Sequence, residues 1–270
     1  NGCQTSTSIT VTVHPKPIVV IQGQNKICKG ENVQLSVSGG TSYLWSNGST
    51  SSTIEITPIE NTLYEVTVTD ENGCMGVGNH LVTVNPNPVA ILFGNDEICV
   101  NGSTTLFAVG GVSYEWSEGS TGASITVNPS ATTTYSVTVT DGNGCQASTS
   151  MTVTVHPLPT ASISGDIEIC NGSTTRLTAS GGTSYVWSTG STTYWIDVNP
   201  SATTTYSVTV TDGNGCQAST SMTVTVHPLP TASISGDIEI CSGECTTLEA
   251  SGGTMYEWGN VMVDGYQCEG

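Results

Sequence analysis

The sequence predicts an all-β protein built as a tandem array of small antiparallel β-sandwiches, each about 71 residues long. Three observations predict this. A Pro-x-Pro pair recurs at a fixed spacing, the segments between alternate apolar and polar residues with a period of two, and Gly/Asn/Asp turn chemistry separates them.

The repeat comes first. Pro15 and Pro17 return as Pro86 and Pro88, Pro157 and Pro159, and Pro228 and Pro230, in steps of 71 residues. The stretch 128–170 is identical to 199–241. The expected organisation is a strand-like segment at 1–14, complete repeats at 15–85, 86–156 and 157–227, and an incomplete fourth repeat at 228–270. The third repeat shows the elements in order. "TASIS", "TTRLTAS", "SYVWS" and "YWIDV" read as short strands. In "TTTYSVTVTDGNG", Tyr206, Val208 and Val210 take one face and Ser207, Thr209 and Thr211 the other. In the closing strand Cys216, Met222, Val224 and Val226 share a face. Gly181-Gly182 and Asp212 to Gly215 supply turns, and nothing follows a helical period. Six or seven strands in this length make a small sandwich.

Composition excludes several functions. Four basic residues face twenty-two acidic ones, which argues against nucleic acid and against anionic lipid surfaces. No apolar run approaches the ~20 residues of a membrane-spanning helix. A chain that opens on Asn1, without Met or a signal peptide, is expected to be processed and mature.

Ten cysteines at repeat-locked spacing point to disulfides and an extracellular compartment; zinc lacks the Cys-x2-Cys pairs it would need. A domain this small buries too little apolar surface to be secure alone. Cys28 and Cys74, Cys99 and Cys145, and Cys170 and Cys216 are each 46 apart, so three bridges inside the repeats are expected. The first of each pair is taken to open the second strand and the other the last, at one end of the sandwich. Each such bridge would stabilise its repeat by roughly 4 kcal/mol on the chain-entropy account.

The Tyr-x-Trp-Ser-x-Gly element, the Thr-Thr-Tyr-x-Val-Thr-Val-Thr-Asp strand and the Asn-Gly-Cys turn resemble the secreted Ig-like and PKD-like repeats of Bacteroidota surface proteins and adhesins. The resemblance covers the three complete repeats, at Tyr43/Trp45, Tyr114/Trp116 and Tyr185/Trp187, and fades after Trp258. It implies Ig-like sandwiches serving as spacers, stalks or binding surfaces.

The ends do not match. "NGCQ" at the N-terminus copies the closing-strand motif around Cys216, whereas the fourth repeat lacks such a strand. The economical expectation is donation of the N-terminal strand, with Ile9, Val11 and Val13 facing inward, to the fourth repeat of a neighbour. By the repeat register Cys3 would bridge Cys241 of that neighbour, while Cys245 would pair with Cys268. The fourth repeat also lacks a "TTTYSVTVTDG" strand, for which the segment around Val261 and Val263 is a poor substitute. Lys16, Lys26 and Lys29 place positive charge towards the head, and the segment from Thr231 onward carries seven acidic residues and no basic one. This polarity favours head-to-tail contact. The competing reading is a segment of a longer repeat protein.

Other candidates have plain structural readings. The Tyr-x-Trp pairs are expected in the cores near the disulfides, with a sugar-stacking platform as the alternative. Trp195, between inward-facing neighbours, is expected to point outward as a possible surface contact, for a glycan or a neighbouring subunit. Asp141 with Asn143, and Asp212 with Asn214, read as hairpin turns more than as calcium ligands. His14, His156 and His227 occupy equivalent strand ends, and Asn47, Asn101 and Asn171 open Asn-Gly-Ser sequons in exposed turns. No nucleophile–base pair or metal cluster stands out, so neither enzyme activity nor a cofactor is expected. The expected role is a structural subunit of an extracellular filament, a head-to-tail homopolymer. The alternatives are a stalk or adhesion segment binding glycans, or a spacer.

Overall fold

The computed structural model describes residues 2–259. The chain divides into two compact units, 1–155 and 156–270. Among the described residues the secondary structure is all β, with no helix.

Seven strands build the first repeat: β1 (Val20–Gln22), β2 (Lys26–Cys28), β3 (Val33–Ser38), β4 (Ser42–Trp45), β5 (Thr53–Ile56), β6 (Thr62–Thr69) and β7 (Met75–Asn85). They form a three-stranded sheet, β1-β3-β5, and a four-stranded sheet, β2-β7-β6-β4. The second repeat has the same plan: β8 (Ile91–Gly94), β9 (Glu97–Cys99), β10 (Thr104–Val109), β11 (Ser113–Trp116), β12 (Ser124–Val127), β13 (Thr133–Thr140) and β14 (Gln146–His156). So has the third: β15 (Ser162–Ser164), β16 (Glu168–Cys170), β17 (Thr175–Ser180), β18 (Ser184–Trp187), β19 (Trp195–Val198), β20 (Thr204–Thr211) and β21 (Gln217–His227). In the fourth repeat the described residues form one two-stranded sheet, β22 (Ser233–Ser235) with β23 (Glu249–Ser251).

Alternation decides which side chains enter the core. In β3, Val33, Leu35 and Val37 are buried while Gln34 and Ser38 are exposed, and in β6 Tyr64, Val66 and Val68 are buried. These residues close against Trp45, Ile54 and Val82 from both sheets. The other complete repeats have equivalent cores around Trp116 and Trp187. Each Trp is buried with its indole N–H satisfied: Trp45 donates to the Ser51 carbonyl at 2.9 Å, Trp116 to Gly122 at 2.8 Å and Trp187 to Thr193 at 2.9 Å. The Tyr of each pair is half-buried and donates its hydroxyl to the first-turn glycine carbonyl, as Tyr43 does to Gly40 at 2.8 Å. That burial excludes the Trp residues from any sugar platform.

The pairing is antiparallel apart from one short strand in a sandwich: β2 runs parallel to β7, and β16 to β21. One expectation needs correction. The sequence reading placed Cys28 at the opening of the long second strand. It instead ends a separate three-residue strand whose register sets Cys28 opposite Asn85, the last residue of β7. Cys74 immediately precedes Met75, the first residue of that strand. Eleven residues at about 3.4 Å each put the two cysteines roughly 37 Å apart, and a disulfide tolerates no more than about 7 Å between Cα atoms. Cys28 and Cys74 therefore cannot bridge.

Candidate functional site

The same topology creates a different crosslink. Parallel pairing carries Cys28 to the end of the first repeat where the chain leaves through Pro86-Asn87-Pro88. Cys145 opens the closing strand of the second repeat, at the end where the chain enters. The two are joined as Cys28–Cys145, with Cα atoms 5.5 Å apart and a sequence separation of 117. The bridge thus ties one repeat to the next. Cys145 and Cys216 are buried, but the clusters packed around Trp45, Trp116 and Trp187 contain no cysteine, so the expectation of each Trp packed near a disulfide of its own repeat is not met.

A local device presents the second cysteine. The Asp141 carboxylate accepts the backbone N–H groups of Asn143 at 2.8 Å and Cys145 at 2.9 Å, while the Asp141 N–H donates to the Cys145 carbonyl at 2.9 Å. Gly144 completes the turn at φ +87°, a backbone state that a side chain would strain. Desolvation raises the Asp141 pKa, but hydrogen bonds from Cys145, Asn143 and Gly144 outweigh it and hold the carboxyl below its ordinary range. Asp70 does the same for Asn72 and Cys74, and Asp212 for Asn214 and Cys216. The Asp-Gly-Asn-Gly motif is a cysteine-presenting turn.

Beside the bridge lies a shallow crevice of about 390 Å³ lined by Gln24, Lys26, Glu31, Asn85 and the 142–144 turn. Asn87 donates to the Lys29 carbonyl at 3.2 Å. Lys26 and Lys29 therefore belong to the junction and not to the head, which leaves the charge-polarity argument with Lys16 alone.

The remaining cysteines fall into two groups. Cys99, Cys216 and Cys245 are disulfide-bonded. Cys3, Cys74, Cys170 and Cys241 are free thiols. The expected bridges of Cys74 to Cys28 and of Cys170 to Cys216 do not form, because the strand register sets each pair at opposite ends of its sandwich. Cys268, expected to pair with Cys245, lies outside the described residues, as do Val261 and Val263.

The N-terminal segment 2–14 forms no strand, and its alternating apolar residues are bare: Ile9 is 89% exposed, Val11 78% and Val13 85%. The repeat register makes Val82, Val153 and Val224 the counterparts of Val11, and all three are fully buried. One tie is present at the end of the segment, where the Cys74 thiol donates to the His14 carbonyl at 3.9 Å. In the fourth repeat Trp258, the counterpart of Trp187, is 49% exposed where Trp187 is 2% exposed. Ile238, Met255 and Tyr256 are exposed as well.

Trp195 does point outward, next to the buried Ile196, but its ring is half-buried. The Arg176 guanidinium lies 4.1 Å from the ring centroid and is fixed by Asp197, at 2.8 and 2.9 Å across the β17–β19 pair. The sequence gives no signal for this cover, because Arg176 and Trp195 are far apart in the chain. Asn47, Asn101 and Asn171 are all exposed. Among the described residues no cluster of His, Cys, Asp or Glu is arranged to hold a metal, and no helix is long and apolar enough to cross a membrane.

No protein-family model matches the chain, and no curated protein does. Solved structures with a similar course of strands exist. One, from work on host cell surface retention of a 1.5-MDa bacterial ice-binding adhesin, is 16% identical; the match covers 79% of this chain and 98% of that one, with a TM-score of 0.33. Sidekick-1 immunoglobulin domains 1–5 match at 12% identity over 78% of this chain and 58% of that one, TM-score 0.28. The Bacteroides ovatus glucan-utilisation protein SGBP-B, solved with a mixed-linkage heptasaccharide, matches at 14% identity over 83% and 72%, TM-score 0.20. Such distant likenesses carry no argument about what this chain binds.

Proposed function

We propose that the chain is a structural subunit of an extracellular fibre, in which the N-terminal segment of one copy adds as the closing strand to the fourth repeat of the copy before it. The observation that carries this reading is Val11. Its three counterparts are sealed in sandwich cores, whereas Val11 and its same-face neighbours stand in water on an unpaired segment. Exposed core-type side chains in the fourth repeat, Trp258 foremost, supply the complementary surface. Strand addition would bury both sets and satisfy unpaired backbone groups. The bridged repeats favour an oxidising, extracellular setting, and the role is structural, not catalytic.

The expected Cys3–Cys241 bridge is withdrawn from this reading. It copied the pairing of Cys170 with Cys216 within one repeat, and the strand register puts those positions at opposite ends of a sandwich. Glycan adhesion gains nothing from Trp195, whose ring is covered by Arg176.

Val11→Asp tests the proposal, because the residue lies outside every described core and its change leaves the repeats folded. Light scattering and electron microscopy of the wild-type protein should show head-to-tail chains, and the variant should remain monomeric. A variant that assembles as well as wild type would refute strand donation.

A further inference from the structure

The Cys28–Cys145 bridge takes a single forward step along the repeats. A cysteine at the exit of one repeat bonds the closing-strand cysteine of the following repeat, 117 positions on. Cys99 and Cys216 are disulfide-bonded as well. Cys3, Cys74, Cys170 and Cys241 are free thiols.

We infer that the four thiols form a double covalent joint between copies: Cys170 with Cys3 of the partner subunit, and Cys241 with Cys74 of the partner subunit. This rests on the head-to-tail reading and replaces its withdrawn bridge. A shift of four repeats between copies satisfies both pairs at once, so the two bonds share one register.

The head already holds half of such a joint. In the first repeat, Cys28 lies opposite Asn85, and the Asn85 carbonyl accepts the N–H of Lys29 at 2.9 Å. In the third, Cys170 lies opposite His227, whose carbonyl accepts the N–H of Asn171 at 2.9 Å. His14 is the counterpart of Asn85 and His227. Its carbonyl is held by the Cys74 thiol, at 3.9 Å. Once residues 2–14 seat in the preceding copy's fourth repeat, His14 lies opposite Cys241, and Cys74 is next to it. Cys241 is exposed in an open crevice with Glu239 and Glu244.

Each bond forms by thiol–disulfide exchange with an oxidised low-molecular-weight disulfide. Two protein thiols give up two protons and two electrons, one S–S bond forms between the copies, and the carrier leaves as two thiols.

Disulfide mapping of assembled wild-type protein tests the inference. Pepsin at acid pH suits a chain with four basic residues and suppresses exchange. Fragments must run past the cysteine, because the Cys170 and Cys241 peptides first differ after it, at Asn171 and Ser242. Expected are Cys170–Cys3 and Cys241–Cys74 fragments. On non-reducing gels Cys170→Ser and Cys241→Ser should each keep the ladder, and the double variant should lose it. Cys3 linked to Cys241, or all four thiols open to alkylation in assembled fibres, would overturn the joint and leave strand donation standing. Monomers with four alkylated thiols would overturn both.

Discussion

Asp141 shows how much one side chain decides. Its carboxylate holds the two N–H groups that aim Cys145 at Cys28. Because hydrogen bonding lowers its pKa in the fold, this support is complete above the ordinary aspartate value of 3.8 and is lost as pH falls through the lower folded value. Acidification should therefore loosen the turn only below that value. Asp141→Ala should slow closure of the Cys28–Cys145 bridge during oxidative refolding, read as thiols remaining over time, while Asp141→Asn retains an acceptor and loses less. The turn itself was legible in "DGNG"; its service to the neighbouring cysteine was not, since the residue it positions bonds a partner 117 positions away. Trp187 was equally legible as a core residue. Its replacement by Ala should cost about 3–5 kcal/mol in the third repeat, checked by denaturant unfolding. Loss of Arg176 should barely alter stability, as its pair with Asp197 is solvent-exposed.

At the level of elements, three short strands account for the chief error of the sequence reading. Lys26–Cys28, Glu97–Cys99 and Glu168–Cys170 are three residues each, too short to show a period. Only one side chain in each is buried: Ile27, Ile98 and Ile169. The first and third run parallel to the closing strand, which moves the cysteine from one end of the sandwich to the other. The consequence is measurable. Each repeat owes its fold to its apolar core, while the bridge restrains the junction. Reduction should leave the fluorescence of Trp45, Trp116 and Trp187 unchanged at neutral pH. Cys28→Ser should lower the resistance of the first two repeats to joint unfolding by up to about 5 kcal/mol on the chain-entropy account. A shift to solvent-exposed Trp emission on reduction alone would restore a bridge inside the repeats.

For the molecule as a whole, repetition is not uniformity. The second and third repeats carry hydrogen-bonded Thr and Ser pairs on the outer face of the larger sheet, Thr134 with Thr152 and Thr205 with Thr223. The first repeat has Leu63 opposite Leu81 there, both exposed. On the strand-donation proposal, assembly should tolerate Leu63→Thr, with fibre length distributions by electron microscopy as the check. The sequence by itself determined the 71-residue period, the strand alternation, the buried Trp residues and the apolar face of the N-terminal segment, because these are local patterns that a chain writes along its own length. Tertiary structure alone decided which cysteines meet. Disulfide partners are chosen by a few ångströms of separation in space, and that separation follows from whether a three-residue strand lies parallel or antiparallel to its neighbour.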